Sequence, residues 1–131
     1  MAKYLHPDVL DNGLQYIIDE ATSNNVDILL LDAYTLGQSY ATVDSNKVMT
    51  INTSSGDYSL ANFGTYGRQL DVAEKSGSAS ASATSPDLHV AIVDVTNTKV
   101  LAVTDETSDQ DITNGNPITV PTWSIKMAQP V

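Results

Sequence analysis

Residues 88–106, LHVAIVDVTNTKVLAVTDE, constrain the fold more than any other part of the chain. Two runs rich in β-branched residues, 88–95 and 99–104, flank a short polar segment at 96–98. Asn97 in that segment tolerates the positive φ that a tight reversal requires, so the pattern predicts a β-hairpin. Apolar residues occupy both alternate faces of the two strands. We therefore expect the hairpin to be covered on both sides, inside a sandwich or between a sheet and a helix.

The side chains of each hairpin strand divide between two faces, because successive side chains of a strand point to opposite sides. On the first strand, one face should carry Leu88, Val90 and Ile92, and the opposite face should carry Ala91, Val93 and Val95. On the second strand, the same rule groups Val100 with Ala102 and Leu101 with Val103. The grouping predicts which side chains share a core.

The rest of the chain predicts one helix and further strands. Pro7 suits the first helical position, and an apolar stripe runs from Val9 to Ala21, so residues 7–22 should form an amphipathic helix. Gly13 lies beside that stripe, although glycine is unfavourable in the interior of a helix. Close packing of the helix backbone on a sheet is the simplest explanation for a glycine at this position. Strands are expected near residues 26–31, 47–53, 68–75, 78–84, 88–95, 99–104 and 118–127. The predicted fold is a single domain of residues 1–131, mainly β with one N-terminal α-helix: an antiparallel β-sandwich or jelly-roll-like sheet packed with the helix.

Several segments have weaker signals. Residues 78–83 alternate serine with alanine, a pattern compatible with a flexible linker or with a thin strand. Residues 58–67 have the composition of a loop pinned by aromatic side chains, and a short helical turn is expected near 39–43. Pro121 has no backbone N–H to donate to a neighbouring strand. We therefore expect the last strand to be an edge strand, to contain a bulge at Pro121, or to begin near Pro121. The side chains expected to share a face of that strand are Trp123, Ile125 and Met127.

The charge of the chain argues against nucleic-acid binding. Sixteen acidic and six basic residues give a formal net charge of −10, whereas a phosphate-binding groove needs clustered cations. The imbalance indicates either a protein kept soluble at high copy number or one that meets a basic partner surface. There is no cysteine, and no apolar run is long enough for a secretory signal or a membrane span. We expect a protein made in a cytoplasm, with no membrane partner.

No residue pattern predicts a catalytic, metal or cofactor site. The two histidines lie on different elements: His6 is expected to be exposed or to cap the helix, and His89 to be a hydrogen-bonded core histidine. The acidic segment 105–111 departs from the spacing of helix–loop–helix calcium sites, so a solvated loop is the preferred interpretation. Nucleophile-elbow, phosphate-loop and dinucleotide motifs do not occur in the sequence. The sequence therefore predicts a protein that is not an enzyme and holds no cofactor.

The order of these segments resembles a family of small virion proteins encoded by tailed bacteriophages. Its members open with a Pro-Asp-x-Leu-x-x-Gly-Leu-x-Tyr-Ile-like helix and an apolar strand, which here read PDVLDNGLQYI and VDILLL. They continue with a Gly-Arg-led strand, a strand of small residues, a His-x-Ala hairpin and a final strand containing proline. The matching segments are residues 7–17, 26–31, 67–72, 78–84, 89–94, 101–104 and 116–125.

This resemblance implies a decoration or cement protein on the capsid surface of the virion, made in the host bacterial cytoplasm. Such a protein binds the outside of the head and bridges subunits of the major capsid protein, as a dimer or trimer, through contacts alone. The contact residues expected from it are Lys3, Tyr4 and Leu5 of an N-terminal arm, Tyr34, Tyr40 and Phe63 of aromatic loops, and Gln129, Pro130 and Val131 of a C-terminal tail that could extend a neighbour's sheet.

The chain departs from the family pattern at two places. Relatives often carry Cys-Ser-x-Glu-Pro after the first strand, where this chain reads Leu31-Asp32-Ala33-Tyr34, and residues 40–63 match poorly. A specialised surface is expected there. Three other classes stay open at this stage: a tail or fibre-base module involved in host attachment, a carbohydrate-binding sandwich, which needs a planar row of exposed aromatic residues, and a hydrolase.

Overall fold

Antiparallel strands are the predominant secondary structure in the computed structural model of this chain, which describes residues 4–5, 12–64, 67–106 and 108–127. In chain order the elements are β1 (Tyr4–Leu5), α1 (Gln15–Thr22), β2 (Val26–Leu31), α2 (Tyr40–Ser45), β3 (Lys47–Asn52), a 3-10 turn (Ser55–Asp57), β4 (Tyr58–Phe63), β5 (Gly67–Val72), β6 (Lys75–Ser78), β7 (His89–Asp94), β8 (Lys99–Asp105), β9 (Pro117–Val120) and β10 (Trp123–Met127). The predicted fold class, mainly β with antiparallel sheets and one main helix, is confirmed.

The predicted hairpin forms the middle of a five-stranded sheet with the order β1-β8-β7-β2-β3. Every residue of β7 is buried, because β2 and β8 flank it and its two faces meet two separate apolar clusters. The expectation of a hairpin covered on both sides is confirmed. The reversal differs in detail, since the residue with positive φ is Thr98, at 52°, and not Asn97.

The larger of the two clusters, the main core, lies between the five-stranded sheet and a three-stranded sheet with the order β10-β5-β4. The inner side of the second sheet contributes Tyr58, Leu70, Val72 and Ile125, and α1 contributes Ile17 and Ala21. Trp123 and Met127 also pack against this cluster, as their shared face predicts. The second core lies on the opposite side of the five-stranded sheet, beneath α2, where Val43 and Tyr34 are buried.

A β-bulge in β8 changes the predicted faces of that strand. Ile92 pairs with Ala102 but Val93 pairs with Val100, so Leu101 is an extra residue on the β8 side. As a result Leu101 and Ala102 both join the main core, while Val100 and Val103 join the second core. The predicted faces of β7 are confirmed, and the strict alternation predicted for β8 is wrong.

Gly13 interrupts the predicted N-terminal helix. Its φ of +70° is left-handed, a conformation that an α-helix interior excludes and that glycine adopts readily. The helix α1 therefore begins at Gln15 and ends at Thr22, so a continuous helix over 7–22 is wrong; residues 7–11 lie outside the described residues. Among the described residues, no helix has the length and hydropathy that crossing a bilayer requires.

The boundaries of β4, β5, β6, β9 and β10 also differ from those predicted. Residues 58–63, predicted as a loop, form β4, and the strand predicted at 68–75 is divided into β5 and β6. The strand predicted at 118–127 is likewise divided at Pro121-Thr122: β9 pairs with β6, and β10 pairs with β5. Proline has no N–H for a ladder, which explains why the chain changes sheets at this point.

The Ser/Ala tract is neither the predicted strand nor a free linker. Only Ser78 of residues 78–84 belongs to a strand, and Ala83 forms a single bridge with Ile112. Ala79 is buried, and Ala81 and Ala83 pack against the main core, whereas Ser80 and Ser82 are exposed. The alternation therefore reflects an ordered segment whose alanines face the main core and whose serines face solvent. The backbone of this segment forms no continuous β-ladder.

Candidate functional site

His89 is the buried titratable side chain around which a candidate site is built. It is the first residue of β7, pairs with Asp105 at the end of β8, and lies on the second-core side of the sheet. Its side chain is only 3% exposed, and its ring centroid lies 5.6 Å from that of Tyr34. Packing in the middle of the sheet therefore fixes the position of the imidazole.

A backbone contact orients the His89 ring. The Nδ1 atom lies 3.0 Å from the carbonyl oxygen of Asp87, and a carbonyl oxygen can only accept a hydrogen bond. Nδ1 therefore donates, and Nε2 carries the lone pair when the ring is neutral. The buried hydrogen-bonded histidine expected from the sequence is confirmed.

Two carboxylates flank this ring. The Oδ1 atom of Asp105 lies 3.7 Å from Nε2, and the Oδ1 atom of Asp87 lies 3.9 Å from Nδ1. Both distances exceed hydrogen-bond length. One potential ligand atom from each of the three residues lies within 4.8 Å of the other two. The Asp105 side chain is 25% exposed and that of Asp87 is 66% exposed, so the group has a buried end and an open end.

This convergence was not predicted from the sequence, where Asp105 was assigned to the acidic loop 105–111 and no role was given to Asp87. The signal that could have found it is the hairpin register. A turn at residues 96–98 places the start of β7 opposite the end of β8, and thus His89 opposite Asp105. His6 lies outside the described residues.

The other members of the acidic segment have different partners. Asp109 Oδ1 accepts the backbone N–H of Leu88 at 2.8 Å, and Asp111 Oδ1 accepts that of Ser85 at 2.7 Å. These two hydrogen bonds hold the segment that precedes β7 in place, because a charged carboxylate is a strong acceptor for a backbone N–H. They therefore do not converge with Asp105 in one group of oxygen ligands.

A shallow cleft of about 160 Å³ lies on the main-core side of the same sheet. Its apolar floor includes Leu30 and Val90, and its rim includes Glu106, Gln110 and Pro121. His89 is not among the residues that line it. The cleft and the His89 cluster therefore lie on opposite faces of the five-stranded sheet.

The structure separates the aromatic residues expected to make contacts. Tyr34 lies in a loop, but its side chain is buried at 7% exposure in the second core and is therefore not presented at the surface. Tyr40 is a half-buried residue at the start of α2. Burial, and after it the Asp44 carboxylate, raises the pKa of Tyr40. Phe63 is half-buried at the end of β4 rather than in a loop.

The expected terminal contacts are described only in part. Tyr4 and Leu5 form β1, which pairs with Val103 and Ala102 of the chain's own β8. The backbone of these two residues is therefore an edge strand of the five-stranded sheet and not a free arm. Lys3 and Gln129, Pro130 and Val131 lie outside the described residues.

The outer side of the three-stranded sheet is a second candidate surface, which we call the outer face. It comprises Phe63 and mostly polar neighbours, namely Ser59, Gln69, Asp71, Ser124 and Lys126. Asp71 Oδ1 accepts hydrogen bonds of 2.6 Å from Gln69 Nε2 and from Ser124 Oγ. Lys126 Nζ lies 5.2 Å from the centroid of the Phe63 ring, within the range of a cation–π contact. One aromatic ring is thus held in an ordered polar surface.

The fold and these sites define a mainly β protein with a buried histidine between two carboxylates and a polar outer sheet face. Comparison of the chain with protein-family models, with curated proteins and with solved structures found no match.

Proposed function

We propose that this chain is a structural protein of a tailed-bacteriophage virion that decorates the outside of the head and bridges subunits of the major capsid protein. The sequence resemblance supports this proposal along nearly the whole chain. Its matching segments fall on elements that build the sheets, among them β5, β7 and β8. In such a protein these strands form the scaffold that presents contact surfaces.

The observation that carries the proposal is where the chain departs from the family pattern. The poorly matching residues 40–63 contain α2, β3 and β4. β3 is the last strand of the five-stranded sheet, and β4 is the last strand of the three-stranded sheet. A scaffold that keeps its central strands and changes one edge of each of these two sheets is what we expect of a protein that adapts to different lattices.

The outer face and the adjoining β4 edge supply the contact surface in this proposal. Phe63 gives an aromatic anchor, and the surrounding polar side chains give hydrogen-bonding groups, a combination typical of protein–protein interfaces. On β4 itself Ser59, Leu60 and Asn62 are exposed. An edge strand also offers unpaired backbone groups to a partner strand.

Binding would stabilise the head by mass action. A protein that binds the assembled lattice more tightly than its free subunits shifts the equilibrium toward the intact shell. Many copies, each a dimer or trimer contacting several subunits, multiply this effect. The net charge of −10 favours a basic shell surface.

The test uses purified chain and capsid shells that lack it. We expect wild-type chain to bind the shell surface in electron micrographs and to raise the temperature at which the shells break. Phe63→Ser should weaken binding at least tenfold, in the range for loss of an aromatic anchor. Leu36→Ser is the matched control, because Leu36 is 63% exposed and lies outside the outer face.

Three outcomes would count against the proposal. If Phe63→Ser bound shells as tightly as Leu36→Ser, the outer face would be ruled out as the contact surface. Failure of the wild-type chain to bind shells would remove the decoration role. Labelled chain found at the tail of purified particles would favour a tail or fibre-base module instead.

A further inference from the structure

We propose that Asp87, His89 and Asp105 bind a divalent transition-metal ion of the Zn²⁺ class. One imidazole nitrogen and two carboxylate oxygens form a ligand set that zinc accepts, and three protein ligands leave a position for water. One ligand atom from each residue already lies within 4.8 Å of the others. The inference does not depend on the proposed role in a virion.

The orientation of the imidazole is the first argument for a metal. Metal-binding histidines commonly donate one ring N–H to a carbonyl or carboxylate and bind the metal through the other nitrogen. The bond of 3.0 Å from Nδ1 to the Asp87 carbonyl oxygen gives His89 this arrangement. The contact fixes the tautomer and leaves the Nε2 lone pair directed toward Asp105.

The environment of Nε2 is the second, independent argument. The side chain is 3% exposed, and the hydrogen bond to the Asp87 carbonyl oxygen uses Nδ1, which leaves Nε2 available as a ligand atom. Its nearest carboxylate oxygen, Asp105 Oδ1, lies 3.7 Å away. A metal ion between Nε2 and Oδ1 would satisfy both atoms.

The distances fit this interpretation. Two ligands bound to one tetrahedral zinc ion at about 2.1 Å lie about 3.4 Å apart. The observed separation of 3.7 Å between Nε2 and Oδ1 therefore needs an adjustment of only a few tenths of an ångström. The Asp87 Oδ1 atom lies 3.9 Å from Nδ1, so the 66% exposed Asp87 side chain would rotate toward the ion on Nε2 to become the third ligand. Bound metal would connect the segment before β7 to the end of β8.

The test is a titration of the full-length chain after treatment with a chelator. We expect isothermal calorimetry with ZnCl₂ to give one ion per chain, and Co²⁺ to give the visible absorption of a site with nitrogen and oxygen ligands. Asp105→Asn and Asp87→Asn should each weaken binding at least tenfold. Zinc should raise the thermal midpoint of the wild-type chain and have a much smaller effect on Asp105→Asn.

Two controls separate this site from others. Glu74→Gln removes the same charge at an exposed position outside the cluster and should bind zinc like the wild type. His6→Ala tests the second histidine of the chain and should also leave binding unchanged. His89→Gln should abolish binding; because His89 is buried, the two aspartate variants decide the result if this variant does not fold.

The proposal is overturned if Asp105→Asn and Asp87→Asn bind zinc as tightly as the wild type. It is also overturned if His6→Ala removes the bound ion, or if the wild type binds zinc no more tightly than Asp105→Asn. In the latter two cases zinc associates with the chain elsewhere or only through general negative charge.

Discussion

The carboxylate of Asp94 accepts the backbone N–H of Asn97 at 2.9 Å and thereby closes the turn between β7 and β8. Asp94 is fully buried, and its oxygens also accept hydrogen bonds from Thr96 N at 3.1 Å, Asn97 Nδ2 at 2.8 Å and Tyr16 Oη at 3.3 Å. An aspartate that binds the backbone two and three residues ahead is a recurrent turn device. Here it also ties the central hairpin to α1.

Asp94→Ala should therefore destabilise the protein by about 3 kcal/mol, because hydrogen bonds to a charged acceptor are lost and buried donors are left without partners. Urea unfolding followed by circular dichroism measures the difference. The exposed Asp19 of α1 is the control, and Asp19→Ala should change stability by about 0.5 kcal/mol or less. Equal effects of the two substitutions would contradict the role given to Asp94.

Ile92→Asp should prevent folding. Ile92 is completely buried in the main core at the centre of the sheet, and an unpaired charge there has no compensating partner. Circular dichroism and size-exclusion chromatography provide the measurement. Leu36→Asp, at a 63% exposed position, should fold normally. A folded Ile92→Asp variant would show that the hairpin is not central.

Gly67→Ala should cost about 2 kcal/mol, in the range for overpacking. A Cβ atom at Gly67 would clash with the carbonyl oxygen of Phe63 and lie 3.0 Å from that of Met127. Glycine therefore lets β4 and β10 approach β5 closely at this point. Gly56→Ala is the matched control, since nothing lies within 4 Å of its added Cβ. Chemical denaturation of both variants should show a loss only for Gly67→Ala.

Low pH should lower the free energy of unfolding of the protein, in part through protonation of Asp57. Burial acts to raise the pKa of this carboxyl, but hydrogen bonds from Ser54 and the ion pair with Lys75 at 3.1 Å outweigh it and leave the pKa below its usual value. A pKa lower in the folded than in the unfolded state gives stability that is fully present above the unfolded-state pKa. That stability is lost as the pH falls through the folded-state pKa.

The measurement is the free energy of unfolding of wild type and Asp57→Asn at about pH 6 and about pH 3, on either side of the usual aspartate range. Asp57→Asn should be less stable than the wild type at the higher pH, and the gap should narrow at the lower pH. The exposed Glu74 serves as control through Glu74→Gln. A gap that widens in acid would contradict the sign of the shift.

In the proposed role on the head, binding to bare capsid shells should weaken as salt is raised. The chain has a formal net charge of −10, and attraction between exposed charges is screened over about 8–10 Å at ordinary ionic strength. Binding measured from about 0.05 to about 0.5 M NaCl should lose affinity progressively. Affinity independent of salt would leave the charge with a role in solubility alone.

Local sequence was sufficient to predict the strands that have a strong apolar pattern and whose neighbours in the sheet cover the faces that this pattern makes apolar. The strand Val26–Leu31 has the predicted bounds, and β7 divides its side chains between two cores as predicted. Strands with weaker patterns were misassigned. Tyr58–Phe63 became a strand only because β5 pairs with it, and Tyr34 became a core residue only because His89 and α2 surround it.

The sequence by itself determined that this chain builds antiparallel sheets around a hairpin with two apolar faces, because side-chain periodicity and turn residues act over a few neighbouring positions. Tertiary structure alone decided the bulge at Leu101, the division of the last strand at Pro121 and the meeting of His89 with Asp87 and Asp105. These features depend on register between strands. Register is a long-range property that is set when whole strands pair and pack, and a single strand's pattern carries too little information to fix it.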